Sequence, residues 1–325
     1  MTSTPLVIAH RGASGYRPEH TLAAFELALE QGADAVEPDI VATKDRILVI
    51  RHENEISGTT DVASRPEFAD RRATKVVDGQ TLSGWFTEDF TWAELSTLRA
   101  TERLPEVRSE NVRYAGEQGI LRLTDLLDLL DGADRRIGMV AEIKHATYFE
   151  SIGLPLDELF AGELMAAGWA NDRRLTIESF ELTVLVEIRE RGIRGDLVFL
   201  VESAGAPADQ IASRGSAALL YSDYLSDEGL EELAGLVDGI SVDKHILLAA
   251  SGARVVSRAH HAGLSVFCWT LRAENSFLAE SLRHGSVAGD FGDWRSEFAT
   301  LMRMGVDGVF ADQPDLAIEI RDGLD

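Results

Sequence analysis

The chain has one cysteine, Cys268, among 325 residues. No internal disulfide is available, so the fold does not depend on oxidation. No apolar run approaches the ~18 residues needed to span a bilayer. No basic residue precedes the short apolar stretch Leu6–Ala9, so no secretory leader is visible and a cytoplasmic location is expected. Positive charge is scarce: 31 basic against 55 acidic residues leave a formal charge of −24. Such a surface repels nucleic-acid phosphates and anionic bilayers, which argues against a nucleic-acid binder and against stable membrane association. Lysine is scarcer still, with Lys44, Lys75, Lys144 and Lys244 against 27 arginines. A compact ammonium and a planar guanidinium are not interchangeable, so each lysine is worth a look. Repeats of fixed period and low-complexity tracts are also missing. What remains is 45% apolar and 26% charged, an ordinary globular composition that suffices for a sizeable core.

Short apolar strands alternate with helical patterns along most of the chain. Leu6–His10 reads as a strand and Leu22–Gln31 as an amphipathic helix closed by Gly32. Ala35–Ile40 and Ile47–His52 are apolar runs flanking the polar turn at residues 43–46. Thr124 reads as the cap of a helix over Asp125–Leu130, with Gly132 beyond its end. Further strands are expected at Gly138–Lys144, Leu175–Glu178, Leu197–Glu202, Gly239–Asp243, Leu264–Thr270 and Gly308–Asp312, and helices at Leu182–Arg191, Ala253–Ala262 and Asn275–His284. Steady alternation argues for parallel βαβ units, and about eight strands suit a closed barrel better than an open sheet. The fold class is therefore α/β: a (β/α)8 TIM barrel, one domain over residues 1–325, with an inserted segment after the second strand. That segment, residues 53–100, holds turn-formers, charges and the aromatics Trp85, Phe86, Phe90 and Trp92. Only its end looks helical, where Thr91 and Glu94 have capping-box spacing. Its aromatics need burial, so it is expected to pack on the barrel. Without it the chain approaches the ~250 residues typical of such a barrel.

Side chains at the C-terminal strand ends of a parallel barrel point into the active site. Strand one ends in His10-Arg11-Gly12. Strand two carries Glu37 and Asp39, two positions apart and so on one face. The next run ends at His52, and the following strand carries Glu142 and Lys144. Three crowded carboxylates repel one another unless a cation lies between them. Oxygen-only ligands suit Ca²⁺ or Mg²⁺ better than zinc. Arg11 and Lys144 beside such a metal make a positive pocket for a phosphate or phosphodiester. His10 and His52 then supply a general acid and a general base near neutral pH. Taken singly, each of these residues has a structural reading: a satisfied strand-end histidine, or an ion pair. Taken together, that explanation must bury several charges for no gain. Pro38, between the two carboxylates, cannot donate to the ladder. Its ring is expected to point away from the pocket, at a bulge.

The stretch IAHRGASGYRPEHTLAAFELALEQGADAVEPDIVATKDRILVIRHE closely resembles the glycerophosphodiester phosphodiesterase family. The resemblance lies in the H-R-G opening, a P-E-N-T-like turn, an E-x-D pair, a T-K-D turn and a second histidine. It continues through Glu142–Lys144, the W-T at Trp269–Thr270 and GVDGVFADQPD from Gly305, and so covers nearly the whole barrel. The insertion and the PEHT form, with His20 where many members have Asn, resemble the longer bacterial members, many of which are exported.

The resemblance implies His10 and His52 as the catalytic pair and Glu37, Asp39 and Glu142 as ligands of one divalent cation, Ca²⁺ or Mg²⁺. It implies Arg11 and Lys144 on the phosphate, and Trp269 either lining the substrate pocket or sitting in the core. Glu19 and His20 are supports behind these residues or helix caps. His145, His245, His260, His261 and His284 are structural or surface residues, and Cys268 is inert core. The expected activity is hydrolysis of glycerophosphodiesters, small molecules such as deacylated phospholipids, to sn-glycerol 3-phosphate and an alcohol. Teichoic-acid-type polymers are also glycerophosphodiesters. A phospholipase-D-like or phosphatidylinositol-specific enzyme on intact lipid needs exposed apolar or basic surface, which the net charge disfavours. A catalytically silent phosphodiester-binding barrel leaves the two histidines unexplained. The insertion either walls the pocket or makes a contact in a homodimer.

Overall fold

The computed structural model describes residues 4–324. Its strands are β1 (Leu6–His10), β2 (Ala35–Glu37), β3 (Asp39–Ala42), β4 (Leu48–Ile50), β5 (Ala73–Val77), β6 (Gln80–Gly84), β7 (Gly138–Ile143), β8 (Leu175–Ser179), β9 (Asp196–Val201), β10 (Gly239–Asp243), β11 (Ser265–Leu271) and β12 (Gly308–Ala311). Parallel pairing runs β2-β1-β12-β11-β10-β9-β8-β7-β3, and a further β2–β7 pairing closes the ring. With β2 and β3 acting as one broken stave, eight parallel staves form the expected barrel. Nearly every stave residue is buried on both faces, which is why these segments read as continuous apolar runs.

The period of two along each strand decides what lies inside. Ile8, Ala35, Val140 and Phe310 form a small apolar cluster with Phe267 and Trp269 packed against it. Two residues further along the same strands or just past their ends come His10, Glu37, Glu142 and Asp312. An apolar plug thus lies one layer beneath a layer of acids and bases. The much larger second cluster fills the space between barrel and helices.

Several local expectations are corrected. The run Ala35–Ile40 is split at Pro38, but without a bulge. Val36 faces Met139 and Asp39 faces Glu142, the same offset on both sides of the proline. The ladder only lacks one donor there, so Glu37 and Asp39 keep a common face. The run ending at His52 is no stave: β4 pairs antiparallel with β3. The helix expected from Asp125 begins at Leu123, and Thr124 is not its cap. Instead the Asp125 carboxylate accepts the Arg122 backbone N–H at 2.9 Å. Asn275–His284 is two 3-10 turns, Asn275–Phe277 and Glu280–Leu282, and not a helix. Asn275 donates to the carbonyls of His284 and Val287 and accepts the His284 N–H. These local bonds compete directly with a helical ladder.

The chain leaves the barrel after β4 and returns to it only at the helix Leu123–Asp131. In between, β5 and β6 form a hairpin whose turn residues Asp78 and Gly79 both have positive φ, the geometry that favours an Asp-Gly turn. Thr91 and Glu94 make the capping box, over a helix of one turn at Trp92–Leu95. Ile56, Val62, Phe68, Trp85, Phe90, Leu95 and Leu98 are part of the large barrel cluster. Phe90 packs edge-on to Phe68 at 5.1 Å. A shared core predicts that the segment and the barrel unfold together. Phe90→Ala is therefore expected to lower global stability by ~3–5 kcal/mol. Urea melts followed by fluorescence and by circular dichroism should coincide; an early separate transition would show that the segment melts alone.

Candidate active site

β1 ends in a turn that puts Arg11 in the left-handed region, with φ 60°. The turn is held because the Arg11 backbone N–H points at Glu37, 3.0 Å from its carbonyl and 2.7 Å from Oε2. Gly12 follows at φ +81°, and a Cβ there would lie 2.7 Å from the Ala24 backbone. Only glycine lets the helix Leu22–Glu30 pack this closely. His10 and Arg11 are thereby aimed into the barrel mouth on either side of the strand end.

Each of the two histidines has a carboxylate at Nδ1. His10 Nδ1 is 2.6 Å from Asp312 Oδ1, and His52 Nδ1 is 2.5 Å from Glu53 Oε1. With the proton held on Nδ1, Nε2 is left free to accept. Burial, then Arg11, lowers the His10 pKa to about 4. Burial, then Arg11 and Lys144, lowers that of His52 to about 3. Both imidazoles are neutral in the free protein at pH 7. Lys144 Nζ lies 3.3 Å from His52 Nε2 and 2.7 Å from Glu142 Oε1.

The acidic groups crowd together. Glu37, Glu142 and Glu178 can each place an oxygen within 4.8 Å of the others, and Glu37 does the same with Asp39 and His20. Burial, then Asp39, pushes the Glu37 carboxyl well above the ordinary range. Burial raises Glu142 to about 8 and, together with Glu142, raises Glu178 as well. Asp39 goes the other way: His52, Lys144 and Arg11 outweigh its burial and hold it well below. Neither Asp39 oxygen accepts a well-aligned hydrogen bond, although Arg11 Nε and His20 Nε2 stand 3.3 and 3.2 Å from Oδ2, and Glu178 Oε2 is buried without a donor.

The structure thus brings His10, His52, Arg11, Lys144, Glu37, Asp39 and Glu142 to one mouth. A cavity of about 90 Å³ is lined by His10, Arg11, Glu37, His52, Glu142 and Trp269 among others. It adjoins a wider cleft of about 670 Å³ that shares His52, Glu142 and Trp269 with it. Trp269 packs edge-on to Phe180 at 5.7 Å, and its indole N–H donates to the Ser241 carbonyl. Glu19 and His20 are supports and not caps. Glu19 accepts from Arg11 and Arg103, His20 Nε2 accepts the Asp39 N–H, and Thr21 is the cap. His145 is neither core nor free surface: it lines the cleft and pairs with Asp78 of the β5–β6 turn. Cys268 is buried, and burial pushes its thiol up, so it is inert.

The sequence reading missed Glu178, Glu53, Asp312, Arg103, Arg108 and Arg272. The first three had a signal, since each is a carboxylate at or just beyond an apolar run. The arginines had none, because their roles depend on where the excursion re-enters the barrel.

Paired imidazoles with carboxylate backing, beside guanidinium and oxygen donors, at the C-terminal end of a closed barrel define a class: (β/α)8 hydrolases of phosphoric esters. Residues 10–316 match the Glycerophosphoryl diester phosphodiesterase family. The chain belongs to that family, and with it to the phosphoric diester hydrolases. It is 31% identical over 330 residues to a glycerophosphodiester phosphodiesterase of Arabidopsis thaliana, covering 96% of this chain and 84% of the relative. A Haemophilus influenzae glycerophosphodiester phosphodiesterase is 24% identical over 352 residues, covering 100% and 92%. Among solved structures, an Oleispira antarctica phosphodiesterase is similar with a TM-score of 0.65, 24% identity and coverage of 98% and 97%. A Thermotoga maritima glycerophosphodiester phosphodiesterase gives 0.57 at 18% identity, covering 98% and 99%.

Asp312 offers a test of the geometry that does not depend on the reaction. Burial raises its carboxyl, but Arg272, Arg108 and His10 outweigh this and hold it well below 3.8. A depressed carboxylate stabilises the fold above its ordinary pKa and loses that contribution as pH falls through the lower native value. Asp312→Asn leaves the buried Arg108 with Glu274 alone and the half-buried Arg272 short of a partner, and is expected to cost ~3 kcal/mol at pH 7. Urea midpoints of both proteins between pH 7 and pH 3 check it: the gap should close only below about 3.8.

Proposed function

We propose that the protein hydrolyses glycerophosphodiesters to sn-glycerol 3-phosphate and an alcohol, with His10 and His52 as base and acid. The observation that carries this reading is the pair of histidine–carboxylate couples facing one small cavity walled by acidic oxygens. The Oleispira antarctica relative was solved with sn-glycerol-3-phosphate, the product expected here.

The donor set fits a hard divalent cation, Ca²⁺ or Mg²⁺. Glu37, Asp39 and Glu142 offer only oxygen, the nearby His20 nitrogen is engaged by the Asp39 N–H, and crowding raises the carboxyls of Glu37, Glu142 and Glu178. Glu37, Asp39 and Glu142 would hold it, with Glu178 adjacent. Such a cation supplies positive charge to the phosphoryl oxygens. Arg11 and Lys144 bind the phosphate from the two sides of the mouth. The wider cleft, with Trp269 on its wall, takes the leaving alcohol.

That layout divides the work of the histidines. His10 lines only the small cavity, whereas His52 lines both the cavity and the cleft. His10 Nε2 therefore takes the proton of the glycerol hydroxyl next to the phosphoester. The hydroxyl oxygen attacks phosphorus and closes a cyclic phosphate. His52, which takes up a proton from solvent at Nε2 when the diester binds, gives that proton to the departing oxygen. The anionic diester itself raises the proton affinity of His52. Water then opens the ring with the roles reversed. A tethered nucleophile gains the effective molarity of a positioned group, worth several kcal/mol.

Turnover of a glycerophosphodiester panel in Ca²⁺, Mg²⁺ or chelator tests the reading, and full activity in excess chelator would sink the metal. His10→Ala and His52→Ala should each lower kcat by ~10²–10⁴ with metal affinity, read by calorimetry, unchanged. A diester lacking the neighbouring hydroxyl should turn over poorly. If it is cleaved as fast as glycerophosphocholine, the cyclic route is wrong and direct attack by water replaces it.

A further inference from the structure

The backing carboxylates of the two histidines are themselves gripped from one direction. Glu53 accepts both terminal nitrogens of Arg103, at 2.9 and 2.6 Å. The same guanidinium reaches Glu19 through Nε at 2.8 Å and Nη2 at 2.6 Å. Glu19 in turn accepts from Arg11 Nη1 at 3.2 Å. At the other histidine, Asp312 Oδ2 accepts Arg108 Nη2 at 2.5 Å and Arg272 Nε at 2.7 Å. Arg108 also donates to Glu274 at 2.7 Å and to the Ser14 carbonyl at 3.0 Å. Ser14 itself donates to the His10 carbonyl at 2.8 Å. Arg103 and Arg108 lie five residues apart on the stretch between Ala100 and the helix Leu123–Asp131. No barrel strand carries either of them.

We propose that this returning stretch of the excursion completes the catalytic centre, with Arg103 and Arg108 as positioning residues for His52 and His10 respectively. The proposal rests on the reading of those histidines as acid and base. A buried carboxylate serves as a fixed acceptor for Nδ1–H only if its other oxygen is satisfied; otherwise it rotates or takes up a proton. The planar fork of arginine satisfies a carboxylate at two points at once, which a lysine ammonium does not. Arg103 forks in this way on Glu53 and on Glu19, whereas Arg108 gives Asp312 one bond and bridges it to Glu274, with Arg272 sharing Oδ2. Arg103 and Arg108 thus hold each imidazole in one tautomer, with Nε2 toward the cavity. Through Glu19, Arg103 also sets the pose of Arg11. The alternative is that both arginines only staple the excursion to the barrel.

The test compares Arg103→Met, Arg108→Met and the milder Arg103→Lys and Arg108→Lys with Arg174→Met. Arg174 is as heavily bonded, to Asp172, Asp131 and the Leu130 carbonyl, but precedes β8 at the opposite end of the barrel. Arg103 and Arg108 variants should lose kcat by ~10–100-fold with calorimetric Ca²⁺ affinity changed by less than ~3-fold. KM should hold within ~3-fold in the Arg108 variants and rise in the Arg103 variants, through Arg11, whereas Arg174→Met should lose Tm and keep kcat. Nitrogen-15 shifts of labelled histidine should show Nδ1–H tautomers in the wild type. Arg108 variants should disturb only His10, and Arg103 variants only His52. If a methionine variant does not fold, its lysine counterpart is read on the same scale. The proposal is overturned if the folded variants keep kcat within ~2-fold of wild type, or keep both tautomers. A wild type that cleaves no glycerophosphodiester, but whose tautomers respond to the arginines, overturns the functional reading and not the clamp.

Discussion

The charge balance at the barrel mouth is the constraint on which the rest depends. Eight carboxylates gather there: Glu19, Glu37, Asp39, Glu53, Glu142, Glu178, Glu274 and Asp312. Six cations answer them: Arg11, Arg51, Arg103, Arg108, Arg272 and Lys144. With every carboxyl ionised, these acids outnumber the six cations by two. The deficit is not spread evenly. Where arginines bond to the acids, as at Glu19, Glu53 and Asp312, they are held well ionised. Where Glu37, Glu142 and Glu178 meet, the carboxyls are pushed up and keep protons. Local crowding therefore marks Glu37, Glu142 and Glu178 as the part of the mouth least compensated by the protein's own cations.

The strand pleat explains how so many ionisable groups are buried without opening the fold. An inward residue and the one two places later share a direction, so four of the staves each contribute one apolar residue to the plug and one functional residue to the mouth. Ile8 lies under His10, Ala35 under Glu37, Val140 under Glu142 and Phe310 under Asp312. Register then places neighbours side by side: His10 beside Glu37, Asp39 beside Glu142, and Glu142 beside Glu178. A one-residue slip in any stave would exchange plug and mouth. The apolar plug fixes the register that the chemistry needs.

Much of this was legible without coordinates, because it is local. Alternating apolar runs and helices specify the barrel, and acids or histidines at the ends of those runs specify most of the mouth. Glu178 shows the limit of that logic: it ends an apolar run like the others, but no motif drew attention to it. The Asp78-Gly79 hairpin was also readable, as an Asp-Gly pair between β-prone residues, and was passed over inside a segment read as irregular. Asn275 misled in the opposite direction, since its side-chain bonds to His284 and Val287 replace a helix that the apolar spacing suggests. Arg103 and Arg108 were beyond reach. They sit in irregular chain, and the partners of Arg108 lie 94 to 204 residues away.

That distance bears on why the arginines come from the excursion at all. Staves and the turns just after them already supply His10, Arg11, Glu37, Asp39, Glu142, Lys144 and Glu178, and each stave end has room for one or two inward side chains. Of the cations that hold these acids, the stave ends supply Arg272, directly after β11, but no partner for Glu53. A chain that leaves after β4 and crosses the mouth before rejoining at Leu123 can supply one. It presents Arg103 to Glu53 and Glu19, and Arg108 to Asp312 and Glu274. The aromatic residues buried between the excursion and the barrel, Phe68, Trp85 and Phe90, then have a role beyond stability. They hold rigid the path whose far end sets two histidines.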